Sequence, residues 1–159
     1  MPKPRVYVET TIPSFYHDPR PDPEIVAMRR WTRLWWADAA DDYELITSDV
    51  VLRELAAGTH DLARMRVALL NDVPLVALGP VAAKIAQVYI QQKLMPANPP
   101  HDAAHLALAS EHRCAFILTW NCKHLANPNK ARRIERLNRS LGLHVPKLVT
   151  PRDLLWRER

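Results

Sequence analysis

Glycine is scarce in this 159-residue chain, which has only three. A loop that cradles phosphate with its backbone needs several closely spaced glycines, and no such stretch is present. The G-x-S-x-G elbow that carries the nucleophile of α/β-hydrolases is missing as well. The sequence therefore argues against glycine-loop nucleotide sites and against a serine hydrolase.

Long apolar runs are also missing. No stretch approaches the roughly 20 apolar residues of a membrane-spanning helix, and the first residues lack the apolar segment of a signal peptide. A hydrophobic content of 48% and a charged content of 25% are ordinary for a globular protein. We therefore expect a cytoplasmic protein without a membrane partner, folded as a single domain over residues 1–159.

The two cysteines, Cys114 and Cys122, stand on either side of a predicted strand. About seven extended residues separate them, which corresponds to roughly 20–25 Å. A disulfide requires Cα atoms within about 7 Å, so we expect these cysteines neither to form a bridge nor to share a metal ion.

Positive charge is concentrated in the C-terminal part of the chain. Residues 123–159 contain ten basic and three acidic residues, a net charge of +7, whereas residues 1–122 carry a net charge of −2. Such a basic surface is typical of a protein that binds a polyanion, nucleic acid first. A surface that only keeps the protein soluble is the alternative.

Short apolar or alternating segments recur between stretches with helical spacing. The predicted strands cover residues 5–9, 43–47, 75–78, 115–119 and 147–150. The predicted helices cover residues 24–40, 61–71, 81–93, 102–113 and 127–141, with further helical segments after Ser48 and at 151–155. Ser48 and Asn127 are the predicted N-caps of their helices. The predicted inner stripe of the helix at 127–141 consists of Ala131, Ile134, Leu137 and Leu141. Strands that alternate with helices predict an α/β fold of three layers, with a mostly parallel central sheet flanked by helices.

Three carboxylates and one amide stand near the ends of the predicted strands. They are Glu9 at the end of the first strand, Glu54 in the helix after the second, Asp102 in the helix before the fourth, and Asn121 after the fourth. The carboxyl ends of parallel strands meet at one edge of a sheet, so we expect these oxygens to share a cleft. Clustered carboxylates repel one another unless a cation neutralises them, and hard oxygen ligands suit Mg²⁺ or Mn²⁺.

Each of these residues also has a purely structural interpretation. Asp102 can cap a helix, Asn121 can serve as a turn or cap residue, and Glu9 can pair with an arginine. Glu54 is harder to explain in this way, because it shares the inward face of its helix with Val50 and Val51. A carboxylate there needs a partner, and the repulsion by its acidic neighbours predicts that neutralising Glu54 leaves the fold intact or more stable.

Two other patterns allow more than one interpretation. Trp31, Trp35 and Trp36 alternate with arginines in one predicted helix, a mixture that can stack on bases. Packing in the core or in a dimer is favoured, because three exposed indoles are costly. His101 and His105 have the spacing of a zinc-binding helix, but the glutamate of H-E-x-x-H is absent and no third ligand is obvious.

Four segments taken together resemble the PIN domain. They are a strand followed by Glu9-Thr10-Thr11, then Ser48-x5-Glu54-Leu55, then Asp102-Ala103-x-His105-Leu106-Ala107-x-Ala109, then Thr119-Trp120-Asn121. The resemblance spans residues 6–155. It is strongest to PIN proteins grouped with VapC-type ribonuclease toxins, in a branch with a TWNCKHLAN-like segment.

This resemblance implies a metal-dependent endoribonuclease that cleaves single-stranded RNA, the toxin of a toxin-antitoxin pair. The metal-binding and catalytic residues that it implies are Glu9, Glu54, Asp102 and Asn121, with Mg²⁺ or Mn²⁺ as cofactor. The supporting residues are Thr10, Ser48, His105 and Thr119. Many such toxins form homodimers and are held by a cognate antitoxin. RNA would bind the basic helix through its phosphates, at Lys130, Arg132, Arg133 and Arg136.

Two features depart from the usual pattern of the family. The first acid is usually aspartate where this chain has Glu9, and many members have Thr-x-Asp-x-Asp where this chain has Asn121 and Lys123. An amide at the fourth position predicts weaker ion binding. The alternative function is therefore a catalytically weak PIN-fold module that binds RNA or protein. A small-molecule phosphatase ranks last, because the D-x-D nucleophile motif is missing.

Overall fold

The computed structural model describes residues 2–58, 60–121 and 127–157. Within these residues the strands are β1 (Arg5–Val8), β2 (Glu44–Ser48), β3 (Leu75–Val76), β4 (Phe116–Leu118) and β5 (Lys147–Val149). The helices are α1 (Thr11–Tyr16), α2 (Pro23–Asp38), α3 (Asp49–Ala56), α4 (His60–Leu69), α5 (Pro80–Gln91), α6 (His101–Glu111), α7 (Pro128–Ser140) and α8 (Pro151–Arg157). A 3₁₀ turn, Ala40–Asp42, lies between α2 and β2.

The five strands form one parallel sheet in the order β3-β2-β1-β4-β5, with helices on its faces. The predicted α/β architecture is therefore confirmed, and every strand pair in the described part of the chain is parallel. Tyr7 in the central strand β1 pairs with Ile46 of β2 on one side and with Ile117 of β4 on the other. Both faces of β1 are covered, because Val6, Tyr7 and Val8 are all 0% exposed.

The direction of winding reverses between β1 and β4. From β1 the chain passes to β2 and β3 on one side, and it later returns to β4 and β5 on the other. The crevice outside the carboxyl ends of the strands at such a switch point is where open α/β sheets bind their ligands. Glu9 follows β1 and Thr119 follows β4, so the sequence around both strand ends faces this crevice.

Helix α6 is the most deeply buried helix segment. All eight residues from Ala103 to Ser110 are buried, and α6 packs against α5. Four of those eight are alanines and one is a serine, and these short side chains let neighbouring elements approach closely. The first turn of α6, with Asp102, thereby comes close to the carboxyl edge of the sheet.

Helix α7 begins as predicted, and its inward face is as predicted only in the middle. The side chain of Asn127 caps it by accepting a hydrogen bond from the Lys130 amide at 2.8 Å. Ile134 is fully buried, but Ala131 and Leu141 are exposed, so the predicted inner stripe is wrong at both of its ends. The polar residue Asn138 is buried instead.

The tryptophans of α2 pack against the core. Trp35 is 0% exposed and stacks on Tyr43 with ring centroids 5.7 Å apart. Trp31 and Trp36 are partly buried against the same core. The favoured packing interpretation of this helix is therefore confirmed, and base stacking on Trp35 is excluded.

Burial also decides the state of one cysteine. Cys114 is a free, buried thiol, and burial raises its pKa to about 12. Cys122 and Lys123 lie outside the described residues.

Among the helices of residues 2–58, 60–121 and 127–157, none is long and apolar enough to cross a membrane.

Candidate functional site

The predicted site residues converge at the carboxyl edge of the sheet. Glu9 comes directly after β1, Glu54 lies in α3, and Asp102 lies in the first turn of α6. All three carboxylates are close enough to the buried His105 to raise the pKa of its imidazole. Asn121, three residues beyond β4, contacts Asp102. One histidine thus marks the centre of the acidic cluster.

Glu9 is held by hydrogen bonds to a single carboxylate oxygen. Glu9 is only 3% exposed. Its Oε1 accepts hydrogen bonds from the Thr11 amide at 2.9 Å, the Thr11 hydroxyl at 2.5 Å and the Thr119 hydroxyl at 2.8 Å. Burial raises the pKa of Glu9, and the charge of His105 and these hydrogen bonds only partly oppose it. The second oxygen makes none of these bonds, which leaves it for a ligand.

Two threonine hydroxyls connect Glu9 to the segment after β4. The Thr11 hydroxyl also accepts from the Trp120 amide at 2.8 Å, and the Thr119 hydroxyl accepts from the Asn121 amide at 2.9 Å. Sequence reasoning assigned a supporting role to Thr119 but not to Thr11. The signal for Thr11 was its place two residues after Glu9, where a turn brings its amide and hydroxyl back to the carboxylate.

Glu54 has the partner that its apolar surroundings require. Its Oε1 accepts from the Thr10 hydroxyl at 2.9 Å and from Nε2–H of His105 at 2.6 Å, and its side chain is 20% exposed. Burial alone would raise the pKa of Glu54, but the hydrogen bond and charge of His105 outweigh it, so the pKa lies below its ordinary value. Glu54 is therefore held in its charged form.

His105 uses both ring nitrogens inside the protein. It is 0% exposed, Nε2 faces Glu54, and Nδ1 lies 2.7 Å from the Tyr7 hydroxyl. Burial lowers the pKa of the imidazole, but Glu54, Glu9 and Asp102 together raise it above its ordinary value. No ring nitrogen of His105 is left for a metal, so the zinc interpretation of this helix is wrong.

Tyr7 is a site residue that sequence reasoning missed. Its hydroxyl lies 2.7 Å from the Ser48 hydroxyl as well as 2.7 Å from His105. The Ser48 oxygen also accepts from the Val51 amide at 3.3 Å, which makes Ser48 the predicted N-cap of α3. Nothing in the strand pattern distinguishes Tyr7 from an ordinary core aromatic, and only its long-range partners show its place.

Asn121 is the neighbour of Asp102. Its side-chain Nδ2 donates to the two carboxylate oxygens of Asp102 at 3.3 and 3.4 Å. Both distances are long for hydrogen bonds of this type, so the contact is weak. The amide therefore presents its N–H group, not its carbonyl oxygen, to the acid.

The donor set fits an ion that keeps much of its water. Glu9 and Glu54 each use only Oε1 in hydrogen bonds, so each has a second oxygen without one. Among the described residues, no group of three or more acidic, histidine or cysteine side chains is placed to hold a metal together. Mg²⁺ usually binds one or two carboxylates and several waters, so the site suits such an ion without forming a closed cage.

The basic residues of α7 begin beside the acidic cluster. Lys130 donates to the Leu94 carbonyl at 2.5 Å, and burial with the charge of Arg133 lowers its pKa while Asp102 opposes that shift. Arg132 and Arg136 are exposed farther along the helix. A positive strip thus leads from the side of Asp102 along the outside of α7.

Comparison with known proteins shows a likeness in fold. No family model and no curated protein matches the chain. A chain from the crystal structure of VapBC2 from Rickettsia felis, bound to a DNA fragment from their promoter, is similar with a TM-score of 0.53 and 12% identity. The match covers 92% of this chain and 98% of that one.

A second solved structure gives the same result. A chain from a toxin-antitoxin complex of Klebsiella pneumoniae is similar with a TM-score of 0.56 and 19% identity, over 92% of this chain and 97% of that one. Nearly the whole of each neighbour is matched, so the likeness extends beyond the sheet. The chain therefore shares its fold with a chain of VapBC2 and with a chain of a toxin-antitoxin complex.

Proposed function

We propose that this protein is a metal-dependent endoribonuclease of the PIN class. The observation that carries the proposal is the convergence of Glu9, Glu54 and Asp102 at the switch point of a parallel sheet. Each of the three acids comes from a different element, and buried hydroxyls and an imidazole orient two of them. The four sequence segments that resemble PIN domains lie around this crevice and support the proposal.

Because Mg²⁺ and similar ions keep several waters, Glu9, Glu54 and Asp102 would hold Mg²⁺ or Mn²⁺ partly through bound water. Asn121 would be a further oxygen ligand or a group that positions water. When bound, such an ion polarises a phosphodiester and activates water. The residues of this chain supply the orientation. Thr11 and Thr119 fix one oxygen of Glu9, whereas Thr10 and His105 fix one oxygen of Glu54.

RNA is the proposed substrate, and α7 is its proposed binding surface. Lys130, Arg132, Arg133 and Arg136 would contact phosphates, because the strip that they form begins near the acids. The proposed biological role is that of a toxin in the cytoplasm, with a cognate antitoxin and a second copy of the chain as partners. The likeness in fold to a chain of VapBC2 and to a chain of a toxin-antitoxin complex supports the antitoxin partner.

The direct test is a nuclease assay on purified protein. We expect cleavage of a single-stranded RNA in Mg²⁺ or Mn²⁺ and none in excess EDTA, with a duplex of the same sequence resisting cleavage. The Asp102→Asn variant, purified identically, controls for contaminating nucleases. Cleavage that persists in EDTA, or that Asp102→Asn retains in full, would contradict the proposal.

The alternative is a catalytically weak PIN-fold module that binds RNA or protein. The observation that favours it is the contact between Asn121 and Asp102, in which the amide donates to the carboxylate. A carboxylate in place of this amide would add negative charge that helps to bind an ion. RNA binding without metal-dependent cleavage, at protein concentrations that saturate the RNA, would support this alternative over the nuclease.

Replacing Arg132, Arg133 and Arg136 together with alanine is expected to weaken RNA binding equally across sequences. If each arginine neutralises one phosphate, the slope of log affinity against log salt becomes shallower by roughly 2 for single-stranded RNA. Fluorescence anisotropy at several salt concentrations measures both quantities.

A matched variant separates position from charge. Arg30, Arg53 and Arg64 are exposed on α2, α3 and α4, so changing these three to alanine removes the same charge elsewhere. We expect a much smaller effect on the salt slope. Equal slopes for the two triple variants would mean that α7 only keeps the protein soluble.

A further inference from the structure

We propose that Tyr7 is a positioning residue of the site, whose hydroxyl holds His105 and, through it, Glu54 in a metal-binding orientation. The inference rests on the proposed function, because it assigns Glu54 to the metal. It concerns a residue inside the sheet that touches neither the ion nor the RNA.

The contacts of the Tyr7 hydroxyl carry the inference. Tyr7 is 0% exposed, and its hydroxyl lies 2.7 Å from both Ser48 Oγ and His105 Nδ1. The rings of Tyr7 and His105 are 5.5 Å apart between centroids. On the far side of the imidazole, Nε2 lies 2.6 Å from Glu54 Oε1. The imidazole is thus fixed at both nitrogens, and its orientation fixes the carboxylate.

One hydroxyl connects the elements that carry all three acids. Tyr7 lies in β1, which ends at Glu9, and Ser48 caps α3, which carries Glu54. His105 lies in α6, one turn after Asp102. Movement of any one of these elements would break a short hydrogen bond to Tyr7.

Packing alone does not explain the hydroxyl. Phenylalanine would fill the same space in the core, and burying a hydroxyl is unfavourable unless hydrogen bonds compensate. Here both partners, Ser48 and His105, belong to the elements that hold the site. Replacing a group that fixes the orientation of a metal ligand typically lowers metal affinity or activity by about 10–100-fold.

Tyr7→Phe removes this hydroxyl and leaves the ring in place. We expect the Mn²⁺ affinity of this variant, measured by calorimetry on the full chain, to fall about tenfold. This is the lower end of the effect of replacing a group that hydrogen-bonds a metal ligand. The matched control is Tyr89→Phe. Tyr89 is also 0% exposed, and its hydroxyl contacts Asn138 at 2.6 Å and Ser110 at 3.2 Å, neither of them an acid.

The control separates positioning from general stability. Both variants lose one buried hydroxyl with two partners, so a loss of stability alone would change Mn²⁺ binding equally in both. An equal effect, or no effect in either, would overturn the role of Tyr7 while leaving a metal-binding wild type intact. Failure of the wild type itself to bind Mn²⁺ would overturn both this inference and the proposed function.

A second variant tests whether Tyr7 acts through His105. His105→Asn is expected to weaken Mn²⁺ binding at least as much as Tyr7→Phe, because the shorter side chain does not span the distance to Glu54. If Tyr7 acts only through the imidazole, the double variant binds Mn²⁺ no more weakly than His105→Asn alone. Additive losses would overturn the inference, and His105→Asn remains informative if Tyr7→Phe fails to fold.

Discussion

Glu54→Gln is expected to abolish RNA cleavage while the chain stays folded. Glutamine has the shape of glutamate and still offers an oxygen to Thr10 and His105, but it lacks the charge that binds a cation. Replacing a group that hydrogen-bonds a metal ligand already lowers metal affinity or activity by about 10–100-fold. Loss of the charge of the ligand itself should therefore lower the cleavage rate by more than roughly 100-fold. Single-turnover cleavage of a labelled RNA, with protein in excess, measures this loss.

The same substitution is also expected to lower stability, contrary to what the sequence suggests. Like-charged neighbours predicted relief of repulsion, but the structure pairs Glu54 with His105 at 2.6 Å. The pKa of Glu54 is lowered and that of His105 is raised, so folding favours the charged form of each. Removing one charge leaves the other buried without its partner.

The pH dependence of this stability follows from the two shifts. A lowered pKa of Glu54 stabilises the fold above its ordinary value of 4.5, and this contribution is lost as pH falls through the folded pKa. A raised pKa of His105 stabilises the fold below its ordinary value of 6.5 and is lost as pH rises through the folded pKa. The difference between wild type and Glu54→Gln should therefore be largest between these two ordinary values.

Urea unfolding across this pH range measures the difference, and Glu44→Gln is the matched control. Glu44 pairs with Arg5 at 3.1 Å on the surface, where an ion pair contributes little. We expect Glu44→Gln to keep full activity and nearly full stability. A folded Glu54→Gln protein with full activity would remove Glu54 from the site, and one as stable as wild type would show that the pair with His105 does not stabilise the fold.

Local signals allowed much of the fold to be predicted. The N-caps Ser48 and Asn127 were identified because a cap needs only a suitable side chain three residues before the amide that it binds. The central strands were identified because burial on both faces selects continuous apolar residues. At the sheet edge this signal weakens, and the predicted strand at 75–78 is reduced to Leu75–Val76.

Partners far apart in the sequence could not be predicted. Glu54 was expected to have a partner, but the partner is His105, 51 residues away, and the group behind it is Tyr7, 98 residues from the histidine. Periodicity says which way a side chain points and not which polar atom it meets. A helical histidine such as His105 looks the same whether it binds zinc or pairs with a carboxylate.

The inward face of α7 was predicted only in part, for a related reason. Asn138 is 0% exposed because its side chain accepts from the Tyr89 hydroxyl and donates to the Ser110 hydroxyl and the His144 carbonyl. A polar group with a complete set of partners can be buried as readily as an apolar one. The predicted stripe included only apolar residues, so it left out the buried Asn138 and included Leu141, which is 42% exposed.

Asn121→Asp is expected to tighten Mn²⁺ binding on the order of 100-fold. Two unit charges about 4 Å apart at an effective dielectric constant of about 20 interact by roughly 4 kcal/mol, and a divalent cation doubles this attraction. Dehydration of ion and carboxylate and loss of the amide contact offset most of it. A remainder of about 3 kcal/mol corresponds to roughly 100-fold in affinity.

Without metal, the Asn121→Asp variant should be less stable than the wild type. In the wild type, Nδ2 of Asn121 donates to Asp102, whereas an aspartate would face Asp102 with a second negative charge. Mn²⁺ should therefore raise the melting temperature of Asn121→Asp more than that of the wild type. Asn71→Asp is the control, because it adds the same charge at an exposed position after α4.

The outcome also decides between the two proposed functions. With Glu9, Glu54 and Asp102 ionised the site carries −3, so one divalent ion leaves −1 and we expect one bound ion per wild-type chain in calorimetry. If cleavage increases together with Mn²⁺ affinity in Asn121→Asp, the native protein is a nuclease limited by its fourth ligand. If affinity rises without cleavage, the chain is a binding module with a metal site. If neither changes, the contact of Asn121 with Asp102 lies outside the metal site, and the ion depends on the three acids alone.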